Sequence, residues 1–321
     1  MSEKKRENTG TLLEPDFSGY WSVCQLKGSK WYQKPIGGLV LLLLVGSWIG
    51  GFASPVIVLW LAPRYPLVAA IVVPLLVWQY IFPVKAMRAA SRFWLLGAWW
   101  FDGGATMIFE SARDPDDVSE STMGAYHPHG IFTLGVILNG GFRVAAADYD
   151  PKSDTWASYC GRIGPMMSVG LAAKSLVHAP IFGHIVAKWT GGIESADKKD
   201  MLRKMKNGDS FALIPGGFNE AGHMIYAKER IYIKRRAGFI KYALEHGYAI
   251  LPAYSFGEST SYWNLPGGFK LRESISKMNL PSIVPCGTWW CPVLPKGDTG
   301  IHTVHYRVPR LACRWHFVHY L

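Results

Sequence analysis

The stretch "AGFIKYALEHGYAILPAY", residues 237–254, decides the fold class because its periodicity changes at a glycine. Up to His246 the apolar residues recur at helical spacing, Gly247 stands where a helix C-cap belongs, and "AILPAY" (249–254) is a short apolar run suited to a buried strand. Upstream, "FALIP" (211–215) reads as another buried strand. "SADKKDMLRKMKNG" (195–208) reads as another helix, with Ser195 as its N-cap and Gly208 as its stop. Short apolar runs alternating with amphipathic segments imply an α/β domain. With 321 residues, 49% of them apolar, the chain can bury a sizeable core. There is no internal repeat or low-complexity tract, and "SARDPDDVSE" (111–120) is an acidic, turn-prone loop.

Ahead of this domain, "IGGLVLLLLVGSWIGGFASPVIVLWLA" (36–62) and "LVAAIVVPLLVWQYIFP" (67–83) carry no charge. Each is close to the roughly 20 residues that a helix needs to cross a bilayer. Only "PRYP" (63–66) separates them, so the pair must turn back tightly, as two spans or as a re-entrant wedge, with Arg64 at the tip. Lys4, Lys5, Arg6, Lys27, Lys30 and Lys34 precede the pair, and Lys85, Arg88 and Arg92 follow it, which places both ends in the cytosol. The run starts too late for a cleaved signal peptide, whose apolar core lies near the start and spans about 7 to 15 residues. The expected organisation is a polar cytosolic arm over 1–35, a transmembrane or re-entrant hairpin over 36–84, an α/β domain over 85–304 that carries the chemistry and an atypical tail over 305–321.

A net charge of +11 points to an acidic partner such as anionic headgroups or a phosphate-bearing cofactor. No nucleic-acid-binding module accompanies the charge, so nucleic acid is not expected. Five scattered cysteines without a C-x-x-C pair give neither a disulfide framework nor a zinc module. The tryptophan pairs Trp99–Trp100 and Trp289–Trp290 suit a membrane interface or a packed core equally.

The chemistry concentrates in "GAYHPHG" (124–130). Ala125 and Tyr126 suggest a strand end, and Pro128 biases His127 toward extended backbone. If both histidines are extended, their side chains share a face, and Gly130 allows a close approach or sharp turn into "IFTLGVIL". Histidine titrates near neutrality and serves as a general base. A metal clamp would need a third ligand at suitable spacing, and none stands there. On these residues alone, a base, a metal clamp and an exposed turn remain open.

"YHPHG" resembles the hallmark of the type-2 diacylglycerol acyltransferase family, which includes monoacylglycerol and wax-ester acyltransferases. In the family's order, "IPGGFNEA" (214–221) is similar to its G-G-x-x-E block, "RRAGFIKYALEHG" (235–247) to its R-x-G-F block, and "LPAYSFGE" (251–258) to its V-P-x-x-x-F-G block. The resemblance implies a glycerolphosphate-acyltransferase-like α/β domain behind a membrane hairpin. It also implies that a diacylglycerol hydroxyl attacks an acyl-CoA thioester, with no covalent acyl-enzyme and no bound cofactor or metal. Monoacylglycerol or a long-chain alcohol is the alternative acceptor.

By motif match His129 is the leading base with His127 beside it. The distant glycerolphosphate acyltransferases carry an Asp five positions after their His. Phe132 and Leu134 stand there in this chain, so the carboxylate must come from Glu220 or Glu258. Pro128, Gly130, Gly216, Gly217, Arg236, Gly238, Phe239, Phe256, Gly257 and Glu258 are the expected substrate contacts. Gly216 and Gly217 could aim N–H groups at the reacting carbonyl, and Arg236 could meet CoA phosphates. The implied partners are acyl-CoA, a neutral acyl acceptor and membrane lipid, at the endoplasmic reticulum or a lipid droplet. A homo-oligomer is compatible with this reading.

Two features depart from the family. "APIFGH" (179–184) has Gly183 where relatives carry an arginine, and after "GIHTV" (300–304) the sequence follows no family pattern, so the region beyond Val304 is expected to pack least well. An inactive membrane-surface or lipid-droplet binding relative is the alternative of another class. A metal-dependent hydrolase is disfavoured because no G-x-S-x-G elbow appears.

Overall fold

The computed structural model describes residues 20–82, 84–110, 121–146 and 169–306. The arm before residue 20, the acidic loop 111–120 and the stretch 307–321 lie outside the described residues. Ten strands occur among those described: β1 (Tyr20–Leu26), β2 (Ala105–Glu110), β3 (Thr122–His127), β4 (Gly170–Ala172), β5 (Ile193–Ser195), β6 (Phe211–Leu213), β7 (Ala249–Phe256), β8 (Trp263–Asn264), β9 (Pro285–Cys286) and β10 (Ile301–His305). Eight of them form one sheet in the order β1-β2-β10-β7-β3-β6-β4-β5, and β8 pairs with β9.

The expected strand–helix–strand unit is present. β6 leads through the helices Gly217–His223 and Gly238–Glu245 into β7, and Gly247 takes φ +70° just past the second helix. Strand β3 lies between β7 and β6, parallel to both, with His127 opposite Tyr254 and Met123 opposite Phe211. Enclosed on both sides, every residue of β3 is buried. The helix Lys198–Asn207 also forms and stops at Gly208 (φ +77°), but its cap position is Asp197. Ser195 instead ends β5, and its Oγ accepts the Asp197 N–H (3.1 Å). Three residues of strand displace the expected cap because pairing to β4 satisfies more backbone groups than one capping bond.

β4, β5 and β6 are mutually parallel and run with β3, so their carboxyl ends share one edge of the sheet. In an open α/β sheet that edge is where ligand crevices form. One face carries a large apolar cluster that includes Trp48, Phe132, Leu138, Phe142, Phe182 and Tyr262. The other is covered around Met123, Met205, Phe211 and Tyr248.

The uncharged segment becomes α1 (Gln33–Leu61), which is long and apolar enough to cross a membrane, and the shorter α2 (Pro66–Ile81). Arg64 lies between them with its guanidinium 4.6 Å from the Trp60 ring centroid. The first half of α1 packs on the α/β unit through Val40, Leu41, Leu44, Val45 and Trp48. Small residues let it come close: a Cβ on Gly38 would meet the Trp100 ring at 2.8 Å, and one on Gly51 the Pro180 carbonyl at 2.7 Å. The second half and α2 expose Val56, Leu59, Trp60, Leu67, Ile71 and Leu75, and Gln79 is the one buried residue of α2. An exposed apolar face of that extent is uncommon on a soluble protein and is compatible with membrane association. Of the tryptophan pairs, Trp100 is partly buried against α1, whereas Trp289 is 90% exposed.

Gly183 has a local explanation. A Cβ there would run into the Val177 carbonyl, so the helical turn Phe182–Lys188 approaches the preceding segment too closely for any side chain. At the other departure β10 continues through His305, which is buried and bonded to Tyr126, so packing extends one residue past Val304.

Candidate active site

The HPHG loop leaves the carboxyl end of β3 through a cis His127–Pro128 bond. Glu220, on the helix that follows β6, reaches under it. The buried Glu220 carboxylate accepts the His129 backbone N–H (2.6 Å) and the Tyr232 backbone N–H (2.8 Å). His127 Nδ1 lies 3.2 Å from both carboxylate oxygens. Burial by itself would raise the Glu220 pKa, but the His127 hydrogen bond and charge and the Tyr232 N–H outweigh it, so the carboxyl is held below its ordinary value. It therefore stays ionised, holds the loop at His127 and His129, and ties it to the segment around Tyr232.

The two imidazoles differ in what they face. His129 Nδ1 lies 3.1 Å from the Gly130 carbonyl, which can only accept, so Nδ1 carries the proton and Nε2 keeps a lone pair. Burial pushes the His129 pKa below its ordinary value despite the pull of Glu220, which keeps the ring neutral at pH 7. His129 lines a cavity of about 650 Å³ at the carboxyl edge of the sheet. His127 does not line it, and its Nε2 is enclosed without a partner. A neutral, desolvated imidazole with a free lone pair at a cavity wall can take a proton from a hydroxyl.

Cavity chemistry runs from apolar to charged. Trp48, Leu176 and Phe182 form an apolar part reached from α1, whereas Lys174, Arg235 and Arg236 contribute the cations. Of the expected contacts, Gly217, Arg236, Gly238 and Phe239 line this cavity together with His129. Pro128, Gly130 and Glu220 instead border a small pocket on the loop's other side, beside Lys228, Arg230 and Ser259.

The remaining expected contacts lie elsewhere. Gly216 makes room for Glu220, whose carboxylate a Cβ there would strike, and the Gly217 N–H is committed to the Ile214 carbonyl (3.1 Å). Glu258 is buried and does not face an imidazole: it accepts the Gly135 N–H and sits where a Cβ on Gly130 would be, and Gly130 itself takes φ +60°. Burial raises the Glu258 pKa to about 8, so this carboxyl is largely neutral at pH 7. Gly257 (φ +93°) closes on the Gly300 carbonyl, and Phe256 is half exposed at the end of β7, ring to ring with Tyr254 at 4.9 Å.

Two cavity residues had no signal in the sequence. Thr133 takes φ +51°, a rare conformation for a β-branched residue, and Asn219 lines the cavity with its Oδ1 unpartnered. Thr133 lies outside the quoted blocks, and Asn219 stands at an unspecified position of the G-G-x-x-E block, so spacing singles out neither. Among the described residues no three of His, Cys, Asp or Glu gather as metal ligands would.

A family model described as diacylglycerol acyltransferase matches residues 116–285, more than half of the chain, and spans the HPHG loop, Glu220 and every cation at the cavity. The chain belongs to the diacylglycerol acyltransferase family. Among its relatives, the diacylglycerol O-acyltransferase 2 of Dictyostelium discoideum is 29% identical over 234 residues, covering 68% of this chain and 65% of that protein. The human diacylglycerol O-acyltransferase 2 is 30% identical over 140 residues (43% and 32%), and the human 2-acylglycerol O-acyltransferase 1 is 30% identical over 146 residues (44% and 39%). The matches thus span between about a third and just under two thirds of these relatives' own length. No solved structure matches the chain. In this chain both histidines stand on one loop, and the Glu220 carboxylate lies beneath it.

Proposed function

We propose that this chain is an acyl-CoA-dependent O-acyltransferase that esterifies diacylglycerol to triacylglycerol. One observation carries the reading: His129, its Nδ1 proton held by the Gly130 carbonyl, presents its Nε2 side to a cavity that is apolar toward α1 and cationic at Arg235 and Arg236. The acyl chain of the donor lies along the apolar part, and the CoA phosphates meet the cations. His129 Nε2 takes the proton of the acceptor hydroxyl as its oxygen attacks the thioester carbonyl. The tetrahedral intermediate collapses to ester and CoA thiolate, which recovers the proton from His129 as free thiol. Glu220 holds the loop, and His127 stands between them as a positioning group. A thioester is already activated, so base and alignment suffice.

The α/β unit, residues 85–304, is read as glycerolphosphate-acyltransferase-like. α1 and α2 anchor it as two spans or as a re-entrant hairpin in the endoplasmic reticulum or lipid-droplet membrane, with both ends in the cytosol. Monoacylglycerol is a second acceptor, supported by the similarity to the human 2-acylglycerol acyltransferase.

Microsomes expressing the chain, given labelled oleoyl-CoA with diacylglycerol, monoacylglycerol or fatty alcohol, test this directly. Triacylglycerol should form, and His129→Ala should lower the rate by about 10²–10⁴-fold, the usual contribution of a general base. Chelation should leave the rate unchanged. Ester formation indifferent to His129→Ala removes the base assignment, and no ester from any acceptor favours a lipid-binding role.

A further inference from the structure

A second space, about 570 Å³, lies between α1, α3 (Arg88–Leu95) and residues 181–189. Its walls include Leu42, Leu43, Met87, Phe93, Ile181 and Ile185, and no charged residue lines it. Two of the polar side chains in the walls are already satisfied: Ser47 Oγ donates to the Leu44 carbonyl (2.7 Å) and Trp94 Nε1 to the Ile185 carbonyl (3.3 Å), which leaves the Trp189 indole N–H as the one side-chain donor on offer. A polar ligand would therefore lose hydration with little in return, whereas a hydrocarbon chain would not. Leu42, Leu43, Met87 and Phe93 are also exposed, so the groove opens outward. On α1 the groove residue Leu42 heads a row of exposed apolar residues on one helix face, Ile49, Val56 and Trp60. The groove thus opens on the face that α1 turns to the bilayer.

The same elements wall the reaction cavity. Trp48 and Phe182, stacked at 5.1 Å, line that cavity, while their neighbours Ser47 and Ile181 line the groove. We infer that the groove holds one acyl chain of a diacylglycerol drawn sideways from the bilayer, beside the cavity in which its hydroxyl reacts. The inference rests on the acceptor proposed above. A lipid without a charged headgroup is the occupant because the groove lacks any cation to pair with a phosphate.

Gly46 supplies the test. It lines the groove, and a Cβ there meets nothing within 4 Å, so the side chain of Gly46→Leu has a clear start into the groove. The full chain in microsomes would be irradiated with a photoreactive, alkyne-tagged diacylglycerol and with phosphatidylcholine carrying the same photoreactive chain. Labelled peptides would then be mapped. The diacylglycerol probe should mark residues within 42–47, 87–94 or 181–189. The phosphatidylcholine probe should mark them several-fold less. Gly46→Leu should cut the labelling and raise KM for diacylglycerol by roughly ten-fold, as when about two methylenes lose their burial, with KM for acyl-CoA unchanged. Gly46→Ala, which leaves most of the groove open, should label normally and controls for folding. His129→Ala should still be labelled while making no product. Equal labelling by both lipids, labelling only elsewhere, or labelling indifferent to Gly46→Leu overturns the inference. Specific labelling of a wild-type chain that makes no triacylglycerol keeps the groove and removes the reaction.

Discussion

Replacing Glu220 by glutamine changes one oxygen for an NH₂ and tests the support of the HPHG loop. In the native chain one carboxylate oxygen accepts the His129 N–H at 2.6 Å and the other the Tyr232 N–H at 2.8 Å. A carboxamide has a single oxygen, so in either orientation one backbone N–H faces another donor. A buried donor left unmatched costs about 1–3 kcal/mol. If the loop relieves the conflict by shifting His129, that energy reappears in the barrier as about a 5- to 150-fold loss of kcat. The rate per mole of enzyme in microsomes at saturating acceptor should fall within that range, with KM for oleoyl-CoA nearly unchanged because Glu220 does not line the cavity. The variant should also lose an acid-dependent part of its stability. The Glu220 pKa is lowered on folding, so ionised Glu220 stabilises the native chain above the ordinary value of 4.5, and this support is lost as pH falls through the lower folded value. Wild-type rate and unfolding temperature in Glu220→Gln would refute the claim that Glu220 positions the loop.

Further expectations follow from single contacts. Gly183→Ala should lower stability by about 1–3 kcal/mol, because the new methyl meets the Val177 carbonyl, and an unchanged unfolding temperature in detergent would contradict that packing. Glu258, with its pKa raised to about 8 by burial, contributes stability that is full below 4.5 and is lost as pH rises through about 8. Relative to Glu258→Gln, the wild type should therefore lose unfolding temperature between pH 5 and 9, roughly the window those values define. A constant difference over that range would place Glu258 in water. Tyr126→Phe removes the hydroxyl 2.7 Å from His305 Nε2 and should cost about 1–3 kcal/mol, measurable by denaturation, since both side chains are buried.

The parts of the fold that are legible in sequence are those whose local pattern repeats. Helix Gly238–Glu245 with its glycine stop, strands β6 and β7 and the two apolar helices all stand where periodicity puts them, to within a few residues. Strands β4 and β5 are as short as β6 but are not legible, because neither stands in an apolar run closed by a proline, as β6 does in "FALIP", and only pairing with neighbours defines them. Ser195 illustrates the same limit, since its place in β5 overrides a good local cap. At the site, the HPHG and G-G-x-x-E blocks name His127, His129 and Glu220 because each is a chemically distinctive residue in a recognisable block. Thr133 and Asn219 are common residue types at positions that no motif specifies, and their place on the cavity depends on how the loop after β3 meets the helix after β6.

The sequence by itself determined the family, the long apolar helix and the residue types able to move a proton, because these reside in composition and in spacing along the chain. Only the tertiary structure decided which imidazole faces the cavity and which carboxylate stays charged. Both depend on the local surroundings: Glu220 has three donors and remains ionised, whereas Glu258, buried beside a single N–H, is held mostly neutral. Two glutamates look alike in a sequence, and residues far away along the chain make them different.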